Sequence, residues 1–182
     1  LHEQHGGAER TFVFKHALTR DVAYDGLLEE RRRSLHARAG AAVERSYAGR
    51  LHETYELLAF HYSRSSERER AADYLERANR KASAQHAMEE ALGYFYEALA
   101  ILEDLPDSED NRRRRLTLVL DQTVGFHYLH RHVEYHELLL RHEPLALEQS
   151  DSGLLGAFYD RLAHRQMVFG EYEQGRQTAS QA

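Results

Sequence analysis

Apolar residues recur at helical spacing through most of the chain, and the densest run occupies residues 55–98. Tyr55, Leu58, Ala59 and Tyr62 share one face of a first helix, and Ala71, Leu75 and Ala78 share a face of the next. The small side chains of Ala59, Ala71 and Ala78 let two backbones approach closely, while the larger apolar residues fill the gaps between them. One such pair still leaves an apolar face uncovered, so it must stack on a neighbour. The same periodicity predicts helices over residues 17–28 and 30–47, the latter with Leu35, Ala39, Ala42 and Val43 inward. Further helices are predicted over 51–64, 67–84, 87–104, 111–129, 133–148, 154–169 and 171–182. Helix 67–84 serves twice, as second member of one pair and first of the next. Its partner carries Met88, Ala91, Phe95 and Ala98 inward. Pro106 and the acidic stretch 107–110 mark a boundary and a helix cap, and Pro144 predicts an interruption or kink near the end of helix 133–148. His136 falls where a small residue is expected, and Gly175, inside the last predicted helix, marks a close approach.

The spacing in residues 55–98 resembles the tetratricopeptide repeat, W-x2-L-G-x2-Y followed by A-x3-F, with Tyr and Ala in place of Trp and Gly. The resemblance implies an all-α, right-handed superhelix of antiparallel helix pairs, with repeats over 51–105, 109–149 and 152–182. The beginning of the chain differs. Residues 1–10 are polar, contain Gly6 and Gly7, and predict a loop. Residues 11–15 alternate apolar and polar positions with β-branched and aromatic types, which predicts one short strand without an evident partner. That isolation points to a start inside a larger domain.

A second resemblance joins these segments. Phe12, Phe14, His16 and Leu18, then Val22, Tyr24 and Leu27, followed by Arg31, Arg32, Arg33, Leu35 and His36, are similar to the end of the winged-helix part of bacterial multidomain signalling ATPases of the STAND class. The likeness is greatest to those joined to adenylate or guanylate cyclase domains or to transcription-activator domains, where this string leads into tetratricopeptide repeats. It implies a winged-helix remnant and linker helices over 1–50, repeats over 51–182, and an upstream ATPase domain in the same chain. His16 holds the place of a histidine that contacts bound nucleotide in related ATPases; the other reading is a histidine packed beside a strand end. Residues 1–182 contain no phosphate loop, because the two lysines, Lys15 and Lys81, follow Phe14 and Arg80 rather than glycine. No cofactor is expected.

Composition narrows the partners. The net charge of -6 argues against direct nucleic-acid binding, and the basic runs Arg31 to Arg33 and Arg112 to Arg115, flanked by acidic residues, have the pattern of solvated helix faces. Cysteine is absent, so thiolate metal sites and disulfides are excluded. No apolar run approaches membrane-spanning length and the first residues lack a secretory pattern, so a cytoplasmic protein without a membrane partner is expected.

In a stack of helix pairs the first helix of each pair lines the inner surface. Counting from Tyr55 and Tyr159 places Glu56, Phe60, Arg64, Glu76, Arg80, Asp121 and His164 there, which predicts a groove of mixed charge for a protein or peptide, anchored by Phe60. The alternative is an ordinary solvated surface. Of the 13 histidines, His127, His130, His132, His136 and His142 cluster in sequence, and the four-residue step from His132 to His136 suits two zinc ligands. No H-E-x-x-H and no compelling third ligand accompany them, so no metal is expected. Nucleophile elbows, glycine-rich phosphate loops and singled-out carboxylate pairs are also missing. The sequence therefore suggests a non-enzymatic interaction and sensor module that receives a protein, peptide or inducer and controls an upstream nucleotide switch. The alternative is a structural homo-oligomerisation module, with a homodimer as its simplest form.

Overall fold

Alanine, leucine, glutamate and arginine supply half of the chain, and it folds into successive helices behind one short hairpin; the computed structural model describes residues 2–5, 10–13 and 16–180. Strand β1 (His2–His5) pairs antiparallel with β2 (Arg10–Val13), placing His2 opposite Val13 and His5 opposite Arg10. The expected loop over residues 1–10 is thus partly strand, and the expected strand has a partner. The polar run His-Glu-Gln-His carries no apolar alternation, so its pairing, made by the backbone, was invisible in the pattern. Phe14 and Lys15, the far end of the expected strand, lie outside the described residues.

Helix α1 (Ala17–Asp25) and α2 (Glu29–Ser46) follow. Leu18, Val22 and Leu28 are exposed, since no described element covers that side of α1. On α2 the inward face is turned by one residue from expectation: His36 and Gly40 are buried, whereas Leu35 and Ala42 are exposed. Two contacts set this register. His36 is hydrogen bonded on both ring nitrogens, and Gly40 lies under Tyr62, where an added Cβ would fall 2.8 Å from Cζ.

The predicted helix over 51–64 is a 3₁₀ turn (Leu51–Glu53) and then α3 (Tyr55–Ser63). The Thr54 hydroxyl donates to the Leu51 carbonyl and separates the two. Helices α4 (Arg68–Ala84), α5 (Met88–Asp104) and α6 (Glu109–Leu120) come next, with Ser108 capping α6 by accepting from the Asn111 amide at 3.1 Å. The expected long helix over 111–129 breaks after α6, and α7 (Thr123–Tyr128) continues it. Helix α8 (His132–Leu147) continues without interruption across Pro144. The proline withdraws the amide that the Leu140 carbonyl would otherwise accept from, and Leu140 is an exposed residue. Asp151 caps α9 (Ser152–Val168), and α10 (Tyr172–Ala179) packs back on α9.

Each of α3, α4 and α5 lies against the next, and one buried apolar cluster extends from Leu58 on α3 to Leu162 on α9. Phe95, Leu116, Phe126, Leu139 and Phe158 are sealed within it, each removal from water contributing about 1.5–3 kcal/mol. The inward positions expected for residues 55–98 are occupied as expected, Tyr55 being half-buried.

A single turn geometry recurs three times. His86, His130 and Gly170 each adopt positive φ, at 61°, 57° and 81°. After each, the next amide reaches back to close the preceding helix: Ala87 to the Ala82 carbonyl, Arg131 to that of Phe126 and Glu171 to that of Gln166, at 3.0, 2.9 and 2.9 Å. Five residues beyond each turn residue stand Ala91, Tyr135 and Gly175. Gly175 supports close packing, because a Cβ there would lie 2.9 Å from Met167 Cγ and 3.1 Å from the Ala163 carbonyl oxygen. The bulky member of the set is Tyr135, rather than His136. Its hydroxyl contacts Thr123 Oγ1 at 2.7 Å and points at the Val119 carbonyl, so it sits where α6 and α7 separate. A large side chain at a position of close approach coincides with the break between α6 and α7.

Candidate functional site

Three of the sequence-selected residues meet beside α4 and α6. Glu76, Arg80 and Asp121 border a cavity of about 210 Å³ together with Arg114, Thr117 and Leu118. Glu76 and Arg80 come from successive turns of α4, which puts them on one side, and Asp121 enters from the break after α6. Arg114 clamps Glu76 with Nη2 at 2.7 Å and Nε at 3.1 Å, and reaches Glu69 with Nη1 at 3.1 Å. Arg80 stands 3.9 Å from the other Glu76 oxygen. Burial pushes the Glu76 carboxyl above its ordinary range against the pull of Arg114, and it raises Asp121 against the pull of Arg80. Arg80 is exposed and only loosely held, so it remains available to an incoming carboxylate.

The other selected residues lie elsewhere. Glu56 is tied to Lys81 by a 2.7 Å ion pair between α3 and α4. Phe60 is about half exposed, with the Arg64 guanidinium 3.9 Å above its ring and the edges of His36 and His61 beside it. Arg64 itself lines a different and larger cavity, between α2 and the α3–α4 turn. His164 is exposed on α9. His16 is exposed at the residue before α1 and makes no side-chain cap.

The histidines are engaged in other ways. His132 Nδ1 lies 3.1 Å from Arg165 Nη1 and can only accept from it, so that nitrogen is not open to zinc. His136 packs its ring 5.2 Å from that of Phe169, and buried His142 bonds the Leu138 carbonyl through Nδ1. Among the described residues no group of three or more His, Cys, Asp or Glu side chains is arranged to hold a metal ion.

Sequence reasoning missed two polar junctions. Tyr24 Oη lies 2.9 Å from His36 Nε2, and His36 Nδ1 lies 3.0 Å from His61 Nδ1, linking α1, α2 and α3. Farther along, the side chains of Asn79 and Gln122 bond each other inside the core. An amide on the inward face of each helix was the available signal for the second junction. No family model matches the sequence, and no match was found among curated proteins or solved structures. Among the described residues no helix is long and apolar enough to cross a membrane.

Proposed function

We propose that the chain is a non-catalytic interaction module of tetratricopeptide type, a right-handed stack of helix pairs that binds a protein or peptide along the face bearing Glu76, Arg80 and Asp121. The observation that carries this reading is the recurrence of one helix-closing turn at His86, His130 and Gly170, each followed at the same interval by a position facing the preceding helix. Repetition of a local unit is how extended binding surfaces are built. The cavity beside α4 and α6 offers both signs of charge, with Arg80 the least committed cation.

The string from Phe12 to His36 supports a place within a cytosolic signalling ATPase, with residues 1–50 as the winged-helix remnant and linker. Ligand binding would then bias an upstream nucleotide switch, by the difference in affinity for two arrangements of the repeats. A panel of fluorescent peptides containing acidic and basic residues, titrated against the purified protein, tests the binding step. At least one peptide should bind saturably, and Arg80→Glu should weaken it roughly tenfold, a loss of about 1.4 kcal/mol. Absence of saturable binding across the panel, or indifference to Arg80→Glu, would remove this reading. The exposed apolar side chains of Met167, Val168, Phe169 and Tyr172 favour the second reading, self-association. Light scattering over a concentration series decides it: a mass fixed at that of the monomer eliminates self-association.

A further inference from the structure

A basic cavity separate from the face just described lies between α2 and the α3–α4 turn, with a volume of about 680 Å³. Arg32 and Arg33 approach it from α2, Arg64 from the turn and Arg68 from the first residue of α4. Glu29 and Asp104 are the carboxylates in its lining, so four guanidiniums oppose two carboxylates. That local excess of positive charge stands out in a chain whose net charge is -6.

The partners of these arginines are easily exchanged. Arg68 meets Asp104 at 2.7 Å, but both side chains are well exposed, at 41% and 75%, and Arg32 reaches Asp25 only at 3.8 Å. Exposed pairs of this kind contribute little, so a phosphoryl group that accepts from paired guanidiniums can displace them. Arg33 pairs with exposed Glu29 one turn away. Among the described residues, Arg64 has no carboxylate within ion-pair distance. Instead it donates to the Phe60 carbonyl at 3.1 Å and to Ser63 Oγ at 3.4 Å, and lies on the Phe60 ring. These contacts fix its direction while leaving its charge unneutralised, which is a pre-organised anion donor. Ser66 adds a hydroxyl from the same lining, and the amino end of the long helix α4 adds its partial positive charge.

We propose that this cavity binds a phosphate-bearing ligand. A phosphoryl dianion suits this net positive lining, and its three outer oxygens suit guanidiniums arriving from α2, the turn and α4. A single carboxylate supplies half the charge and one plane of acceptors. The phosphoryl group can belong to a free small molecule or to a phosphorylated side chain.

The test is calorimetric titration of the protein at low ionic strength with pyrophosphate, ADP, a phosphoserine peptide and the same peptide unphosphorylated. Saturable binding with a dissociation constant below about 1 mM is expected for at least one phosphate-bearing probe, and none for the unphosphorylated peptide. Preference for pyrophosphate and ADP assigns the site to small molecules; preference for the phosphopeptide assigns it to modified proteins. Arg64→Gln and Arg33→Gln should each weaken binding roughly tenfold. Both residues are exposed, and circular dichroism checks the fold of each variant, so either one carries the comparison. Arg176→Gln, on exposed α10, should leave binding unchanged. The proposal fails if no phosphate-bearing probe saturates, if neither cavity variant weakens binding, or if Arg176→Gln weakens it as much as they do.

Discussion

Asn79 and Gln122, 43 residues apart in sequence, bond each other's side-chain amides in both directions, at 3.0 and 3.1 Å. Both are almost fully buried, and their remaining donors are used as well: Asn79 Nδ2 reaches the Ala91 carbonyl at 2.8 Å and Gln122 Nε2 that of Leu118 at 3.1 Å. One satisfied pair thereby joins α4, α5 and the α6–α7 break. Removing either partner strands the other in a dry core, a cost of about 1–3 kcal/mol.

Asn79→Ala and Gln122→Ala should therefore each lower stability by about 2–3 kcal/mol in urea denaturation, including the small cavity left behind. The double variant should cost less than the sum, because the second substitution removes a group already orphaned. Strict additivity would mean that the two amides do not act as a pair.

Glycines give predictions of opposite sign. Gly93 is exposed in α5 with nothing within 4 Å of an added Cβ, so Gly93→Ala should stabilise by about 0.5–1 kcal/mol through helix propensity. At Gly175 the same change drives a methyl to 3.1 Å from a backbone carbonyl and 2.9 Å from Met167 Cγ, and at Gly40 to 2.8 Å from the Tyr62 ring. Overpacking should outweigh propensity there, with a net loss of about 1–2 kcal/mol in thermal or chemical denaturation. Stabilisation by Gly175→Ala would show that α10 has room to move.

The inward register of α3, α4 and α5 was legible because small and large apolar residues alternate there at helical spacing, and burial follows that spacing wherever a partner lies alongside. On α2 the pattern misled by one position. A histidine can enter the core when both ring nitrogens have partners, as at His36, and nothing in sequence spacing reveals the Tyr24 and His61 atoms that supply them. The break between α6 and α7 was hidden for a related reason: Gln122 turns inward to meet Asn79, while hydropathy alone marks it as a surface residue. Of the selected surface residues, Glu76, Arg80 and Asp121 were brought together because successive turns of α4 face the end of α6. Phe60 and Arg64 were not. The count from Tyr55 rests on the first helix of each pair lining the inner surface, and the α3–α4 turn closes without the left-handed residue found at His86, His130 and Gly170.

Those left-handed residues offer a direct test of the repeated turn. A histidine with positive φ carries a steric cost of about 1 kcal/mol that glycine avoids, although glycine loses more freedom on folding. His86→Gly and His130→Gly should be neutral to stabilising by about 0.5–1 kcal/mol, while Gly170→Ala should destabilise by about 1 kcal/mol, measured by denaturant midpoint.

Protonation supplies the last prediction. Burial lowers the affinity of His142 for a proton, and it does the same at His36 and His61, with the nearby Arg64 guanidinium adding to the effect on both. Each folded-state value therefore lies below the unfolded value of about 6.5, so the unfolded chain takes up more protons as pH falls. Stability from these groups is present above pH 6.5 and declines as pH drops through the folded-state values. The Nδ1 atoms of His36 and His61 share one proton between them at 3.0 Å, so charging both rings breaks their contact as well. Glu76 and Asp121 have raised values and the opposite sign, but they act from the carboxylate range upward, so they partly offset the histidine loss at acidic pH. The urea midpoint should fall between pH 7.5 and pH 5.5, and His142→Gln or His61→Gln should flatten that dependence even if it lowers stability at neutral pH. A midpoint that rises on acidification over this interval, or a slope unchanged in both variants, would show that other groups control the proton linkage.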